Sequence, residues 1–310
     1  MEVIKSKHFN NLSIGPIVIA MGTFDGLHLG HQTVIKTAIK IARENNTAVG
    51  VYTFDPHPLK IVKPALAPDS ILSTRQKIKF ISQLDLNFYL QQKFTAEFAS
   101  LDYEDFIKKY LVDRINISHI VVGEDFKFGR QEKGNITSFK KYGKKYGFGF
   151  TAVKSVTKNG QRISSTAIRK MIGNGKIKKI PDYLGRNYRL NGTVIHGDKR
   201  GRKIGVPTAN LKLETNYKLP PCGVYACWAD NNGSRYRGLV NFGYNPTFAN
   251  NKYSVEVHIL NFDKEDIYNE KISIELIDFI REEMTFNSSE ELVKQIKKDI
   301  LYTKSVLCYN

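Results

Sequence analysis

The chain has no apolar run that approaches the ~18 residues needed to cross a bilayer. Its first residues, MEVIKSKHFNNLSIG, lack an apolar core followed by a small-residue cleavage site, so no secretory signal is expected. Cysteine is scarce: Cys222, Cys227 and Cys308 cannot all pair with one another, and none sits in a C-x-x-C. A disulfide scaffold is thereby excluded, and reduced thiols in a cytoplasmic protein are the expectation. The sequence has no internal repeat and no low-complexity segment. Two catalytic signatures are missing as well: neither a G-x-x-x-x-G-K-[ST] phosphate loop nor an H-E-x-x-H zinc helix occurs in the 310 residues.

What is there is an ordinary globular composition with an unusual charge. Hydrophobic residues make up 41% and charged residues 25% of a length that allows two ordinary domains. Lys and Arg number 47 against 30 Asp and Glu, a formal net charge of +17. Such a balance favours anionic partners: nucleic acid, phosphorylated small molecules or an acidic membrane. The basic residues are spread along the chain, with only short knots such as Lys176-Ile-Lys-Lys179 and Lys297-Lys298. A dedicated nucleic-acid arm would be denser, and a general lysine-rich bias accounts for the excess without one.

The first half alternates between strand and helix signals. Ile17-Val18-Ile19-Ala20 is short and apolar, fit for a buried strand. From His31 to Glu44, Val34, Ile35, Ala38, Ile39, Ile41 and Ala42 recur at helical spacing. Val49–Phe54, Ile120–Val122 and Phe150–Val153 read as further strands. Phe80, Ile81 and Leu84 predict one more helix, and Phe106, Ile107, Tyr110 and Leu111 another. That rhythm implies a parallel sheet covered on both faces. Near residue 180 it changes. Pro181 and the segment Gly173–Lys179 read as a linker, after which Tyr188–Ile195, Val224–Ala229, Arg235–Asn241, Ser254–Phe262 and Lys271–Ile280 follow as strands without intervening helices. Asn231-Asn232-Gly233 predicts a hairpin turn, because Asn and Gly tolerate positive φ. These features predict a small antiparallel barrel. It is closed by a helix that starts at Ser288-Ser-Glu-Glu291, with Leu292, Val293, Ile296 and Ile300 as its buried stripe. The expected division is residues 1–180 and 181–310.

Met21-Gly-Thr-Phe-Asp-Gly-Leu-His-Leu-Gly-His31 sits at a strand-to-helix junction. Glycines 22, 26 and 30 let backbone approach a ligand, and the helix offers free N–H groups and a positive dipole end. His28 and His31, three apart at that start, can face one phosphate. A lone His there is more often a cap, but two with three glycines in one run are hard to explain by packing. H-x-G-H after a short strand resembles the nucleotidylyltransferase signature, and Ile163-Ser-Ser-Thr-Ala-Ile-Arg169 is similar to that superfamily's second motif. With Phe54-Asp-Pro-His-Pro58 and Val122-Gly-Glu-Asp-Phe-Lys-Phe-Gly129, the first half resembles the FMN adenylyltransferase module of bacterial bifunctional riboflavin kinase/FAD synthetases. The resemblance implies a Rossmann-like domain in which His28, His31 and Arg169 are catalytic and Gly22, Thr23, Phe24, Gly30, Ser165 and Thr166 bind ATP. It places Asp55, His57 and Asp125 on the flavin side. His57, between two prolines, is equally explained as part of a rigid turn, and Asp125 stands where some relatives carry Asn.

The second half holds another dense run, Gly192-Thr-Val-Ile-His-Gly-Asp-Lys-Arg-Gly-Arg-Lys-Ile-Gly-Val-Pro-Thr-Ala-Asn-Leu211. Glycines 197, 201 and 205 are spaced at four, and such a loop can bring N–H groups and cations against phosphates. Thr208 offers a hydroxyl for Mg²⁺ and Asn210 an amide oxygen. In Ser254–Phe262, Val255, Val257 and Ile259 fall on one face and Glu256 and His258 on the other. A carboxylate there is a candidate general base, although alternation alone is better explained by a solvated barrel exterior. G-R-x-x-G-x-P-T-A-N, then N-x-G-x-x-P-T-F, then E-x-H-I-L-x-F resemble riboflavin kinase, a six-stranded barrel. The resemblance implies Glu256 as base, Gly197, Gly201, Arg202, Gly205 and Asn210 on ATP, and Thr208 with Asn210 on Mg²⁺. It places Asn241, Phe248 and Arg281 on the flavin. Val206 stands where Phe is usual. The implied substrates are ATP, riboflavin and FMN, with no nucleic-acid or membrane partner. A tRNA-acting relative would share H-x-G-H and suit the charge, but the second motif set argues against it.

Overall fold

A computed structural model describes residues 1–11, 15–197, 205–245, 252–262 and 267–308. Gly201, Arg202 and Phe248 lie outside the described residues. The chain forms two compact units, the first of Met1–Asp69 with Thr74–Ser165, the second of Thr166–Asn310 with Ser70–Ser73.

In the first unit, β1 (Glu2–Lys5), β2 (Ile17–Met21), β3 (Ala48–Asp55), β4 (Phe88–Lys93), β5 (Ile117–Gly123) and β6 (Gly149–Val153) form one sheet. Its order is β1-β4-β3-β2-β5-β6, and every pairing is parallel. Chain order runs outward from β2 through β3 and β4, then switches to β5 and β6 on its other side. A crevice at the carboxyl ends of the strands is thereby left beside β2, where open parallel sheets take their ligands. All five β2 residues are buried, and the Leu29–Glu44 helix lays Val34, Ile35, Ala38, Ile39 and Ala42 into the core. β1 and β4 were not expected. A two-residue pair, β7 (Thr157–Lys158) and β8 (Gln161–Arg162), precedes the Ser165–Gly173 helix.

In the second unit, β9 (Tyr188–Ile195), β10 (Ala209–Leu213), β11 (Gly223–Asn231), β12 (Ser234–Asn245), β13 (Lys252–Ile259) and β14 (Lys271–Arg281) close into an antiparallel barrel in the order β10-β13-β12-β11-β14-β9. Asn231 pairs with Ser234 across a turn in which Asn232 has φ 51° and Gly233 φ 86°, as the sequence predicts. β10 was hidden in the Gly- and Lys-rich run. Within the segment read as a linker, Gly173–Lys179, Ile177 is buried. Ser288 caps the terminal Ser289–Val306 helix by accepting the Glu291 N–H at 3.2 Å. Its expected apolar stripe is only half-buried; the deepest residues are Asp299 and Thr303, because this face meets a charged partner as well as apolar ones.

Candidate functional site

The loop after β2 lies at the crevice beside that strand. Phe24 and Leu27 hold φ of 49° and 42°, a left-handed conformation that bulky residues adopt only where surroundings enforce it. The Phe24 ring is buried and meets the His31 ring edge-on at 5.3 Å, so Phe24 serves the loop through its backbone. His28 caps the Leu29–Glu44 helix, its Nδ1 accepting the His31 N–H at 3.2 Å. With that lone pair used, the neutral ring carries its proton on Nε2 as a donor. The two imidazoles stack with centroids 3.6 Å apart and an interplanar angle of 16°. Gly30 permits the arrangement, since a Cβ there would lie 3.1 Å from the His28 ring. The helix cap and the stacked imidazole pair are thus the same residues.

Ser165 donates to the Asp25 carbonyl at 2.8 Å, tying the second motif to the first. Thr166 and Arg169 follow on the helix that Ser165 begins, and Arg169, four residues on, shares its face. Asp55 accepts from Gln91 at 2.7 Å at the end of β3. His57 caps the short Pro58–Val62 helix through Leu59 N–H, at 3.2 Å, which is the rigid-turn reading of this residue in structural form. Asp125, after β5, is ion-paired to Arg162 at 2.5 Å.

On the barrel, Val255, Val257 and Ile259 are buried and Glu256 faces outward, half-exposed. Register decides what that outer position means. Glu256 pairs with Asn210 on one side and Asn241 on the other. Residues in register share a face at a strand spacing of about 4.8 Å, so two amides flank one carboxylate. Thr208 Oγ1 lies 3.5 Å from Glu256 Oε2. Gly197 makes room for the amide, because a Cβ there would fall 2.1 Å from Asn210 Nδ2. Gly205 has φ 75° and Val206 is buried. His258, two residues along β13, holds the Pro207 carbonyl at 2.7 Å and so steadies Thr208. The same row continues from Asn241 to Val224 and Arg281. Hydroxyl, amide and carboxylate oxygens are the donors that suit Mg²⁺, which takes few protein ligands and keeps the rest of its shell for water and phosphate. Among the described residues there is no group of three or more His, Cys, Asp or Glu that could hold a metal ion.

The FAD synthetase family model matches residues 12–167, and the riboflavin kinase model matches residues 184–307. The chain belongs to the bifunctional riboflavin kinase/FMN adenylyltransferase family. It is 42% identical to the bifunctional riboflavin kinase/FMN adenylyltransferase of Bacillus subtilis (strain 168), over 91% of this chain and 90% of that one. To the protein of the same name from Escherichia coli (strain K12) it is 34% identical over 97% and 96%. A crystal structure described as a macrolide-efflux protein from Streptococcus pneumoniae superposes with a TM-score of 0.86 at 32% identity, covering 98% of this chain and 99% of that one. The two models match in the chain order of the two units. Among the described residues no helix is long and apolar enough to cross a membrane.

Other contacts in this family member have no signal in its motifs. Arg281 Nε donates to Asp299 Oδ2 at 2.9 Å, so the expected flavin contact is anchored to the terminal helix. Lys77 and Thr53 both donate to the Thr23 carbonyl. Neither has a motif around it; a lysine turned inward from a short helix looks, in sequence, like any surface lysine.

Proposed function

We propose that the two units act in series, the barrel phosphorylating riboflavin with ATP to FMN and the N-terminal unit adenylylating FMN with ATP to FAD and pyrophosphate. The assignment of site residues rests on one observation in particular: a carboxylate, Glu256, held in register between two amides with a hydroxyl beside it, on a face that a merely structural barrel would leave to solvent. Transfer to an alcohol needs a proton acceptor, and Glu256 takes the proton of the ribityl hydroxyl as the γ-phosphoryl arrives. Thr208 and Asn210 would hold Mg²⁺, which supplies charge neutralisation on the triphosphate. Asn241 orients the carboxylate from the other side, and Gly197 and Gly205 keep backbone close to the phosphates.

Adenylyl transfer makes a different demand. The FMN phosphate is ionised near neutral pH, so the site needs in-line positioning and donors rather than a base. His28 supplies Nε2–H, His31 stacks against it, and the helix start adds its dipole. Ser165, Thr166 and Arg169 take the leaving pyrophosphate. The flavin side falls to Asp55, His57 and Asp125 in this unit and to Asn241 and Arg281 on the barrel. The free thiols at Cys222, Cys227 and Cys308 support a cytoplasmic location. ATP, FMN and pyrophosphate account for a use of the positive charge without nucleic acid.

The test is a chromatogram of riboflavin, ATP and Mg²⁺ incubated with pure protein. FMN appears first and FAD follows, with pyrophosphate released in step. Riboflavin left intact, together with FMN left unadenylylated, would end this reading.

A further inference from the structure

The ammonium of Lys77 reaches from the Thr74–Ile81 helix into the loop that follows β2. Nζ donates to the Thr23 carbonyl oxygen at 2.7 Å. The buried Thr53 hydroxyl on β3 donates to the same oxygen at 3.2 Å. Two donors from separate elements on one carbonyl hold a peptide plane, not only an atom. The Thr23–Phe24 bond is trans, since Asp55–Pro56 is the one cis bond among the described residues. In a planar trans peptide the N–H lies opposite the C=O. Pinning the Thr23 oxygen therefore aims the Phe24 N–H to the far side of the loop. The same two bonds hold Phe24 at φ 49°, a conformation its own sterics oppose.

Charge gives a second reason for a lysine at this place. Asp25 is buried at the start of the same loop and Asp55 ends β3, and both carboxylates act on the Lys77 ammonium. Burial pushes its pKa down, and the two carboxylates pull it back up. An apolar side chain would remove that positive charge from beside both acids, at a loop that must receive anionic phosphates.

We propose that Lys77 is a positioning residue for adenylyl transfer: with Thr53 it locks the Thr23–Phe24 peptide so that the loop presents N–H groups to the nucleotide phosphates. This rests on reading the N-terminal unit as the adenylyltransferase.

The full chain supplies its own control, because riboflavin phosphorylation is a separate activity of the barrel. In Lys77→Met, the kcat for FAD formation from supplied FMN falls about a hundredfold, the loss expected of small misplacement, while the KM for FMN and the rate of riboflavin phosphorylation hold. Lys77→Arg, which keeps the charge and the donor, recovers at least a tenth of the parental kcat. Thr53→Val loses less than Lys77→Met, and the double variant loses less than the product of the two, because both act on one oxygen. Parental kcat in Lys77→Met, or an Lys77→Arg no better than Lys77→Met, overturns the proposal. So does a parallel loss of riboflavin phosphorylation, which marks a role in folding. If Lys77→Met does not fold, an unchanged kcat in Thr53→Val overturns it in the same way. FAD formation by the parental protein, run alongside, separates failure of this inference from failure of the underlying reading.

Discussion

Arg281 Nε lies 2.9 Å from Asp299 Oδ2, joining the last strand of the barrel to the terminal helix. Gln295 donates to the other carboxylate oxygen at 2.9 Å, and Asp299 is only 2% exposed. A cation that the sequence motif places on the flavin side is thus held from behind by a carboxylate one helix away. Removing the charge from Asp299 leaves a largely buried guanidinium without its counterion. Asp299→Asn is expected to destabilise the barrel by about 3 kcal/mol and to raise the riboflavin KM, with the KM for ATP unchanged. Urea unfolding followed through Trp228, the single tryptophan, and steady-state kinetics check both halves of this statement.

The two sites should fail independently. Glu256→Gln keeps the size of the side chain between Asn210 and Asn241 but cannot accept a proton. FMN formation should fall by about a hundredfold or more, and FAD formation from supplied FMN should be unchanged. His31→Ala should give the reverse, because it removes the ring stacked on His28 and nothing from the barrel. A Glu256→Gln protein that phosphorylates riboflavin at the parental rate contradicts the base assignment.

Metal dependence offers a separate handle on the barrel. Thr208 Oγ1 is 3.5 Å from Glu256 Oε2, close enough that one ion could use both oxygens. On the proposed assignment, Thr208→Ala removes one oxygen ligand of Mg²⁺ together with the hydroxyl beside Glu256. The Mg²⁺ concentration for half-maximal FMN formation should rise about tenfold, the order of loss seen when one oxygen donor or its support is removed. FAD formation should keep its parental Mg²⁺ dependence. Chelation should stop both reactions, and added Mg²⁺ should restore both.

The sequence showed the elements whose signals are local. β2, the Leu29–Glu44 helix and the Asn232-Gly233 turn follow from apolar runs, helical spacing and turn chemistry. β4 was invisible because half of it is polar. Its Gln91 and Gln92 are buried through long-range partners: Gln91 donates to Asp55, and Gln92 accepts from Tyr52. β10 was invisible for the opposite reason, since it carries Asn210 in a run whose glycines and cations read as loop. The functional reading of Glu256 could not come from alternation. In the sequence it came from the resemblance of E-x-H-I-L-x-F alone; its geometry comes from cross-strand register, which brings together residues 46 positions apart on one side and 15 on the other. Lys77 depends on a contact 54 residues away in the chain, and the Arg281–Asp299 pair on how the last strand packs against the terminal helix; one sequence has no signal for either.

Acid should act on the N-terminal unit through His119. Its Nε2 lies 2.8 Å from Thr151 Oγ1 between β5 and β6, and burial pushes its pKa below the ordinary 6.5. The unfolded chain therefore binds a proton at a pH where the folded ring stays neutral. Stability is intact above 6.5 and declines as the pH falls from there towards the lowered folded value, because protons then favour the unfolded chain. In His119→Gln that particular decline is absent. The drop in urea midpoint between about pH 7.5 and about pH 5.5, followed by circular dichroism, should be smaller in His119→Gln than in the parental protein. Equal drops would place the acid sensitivity elsewhere.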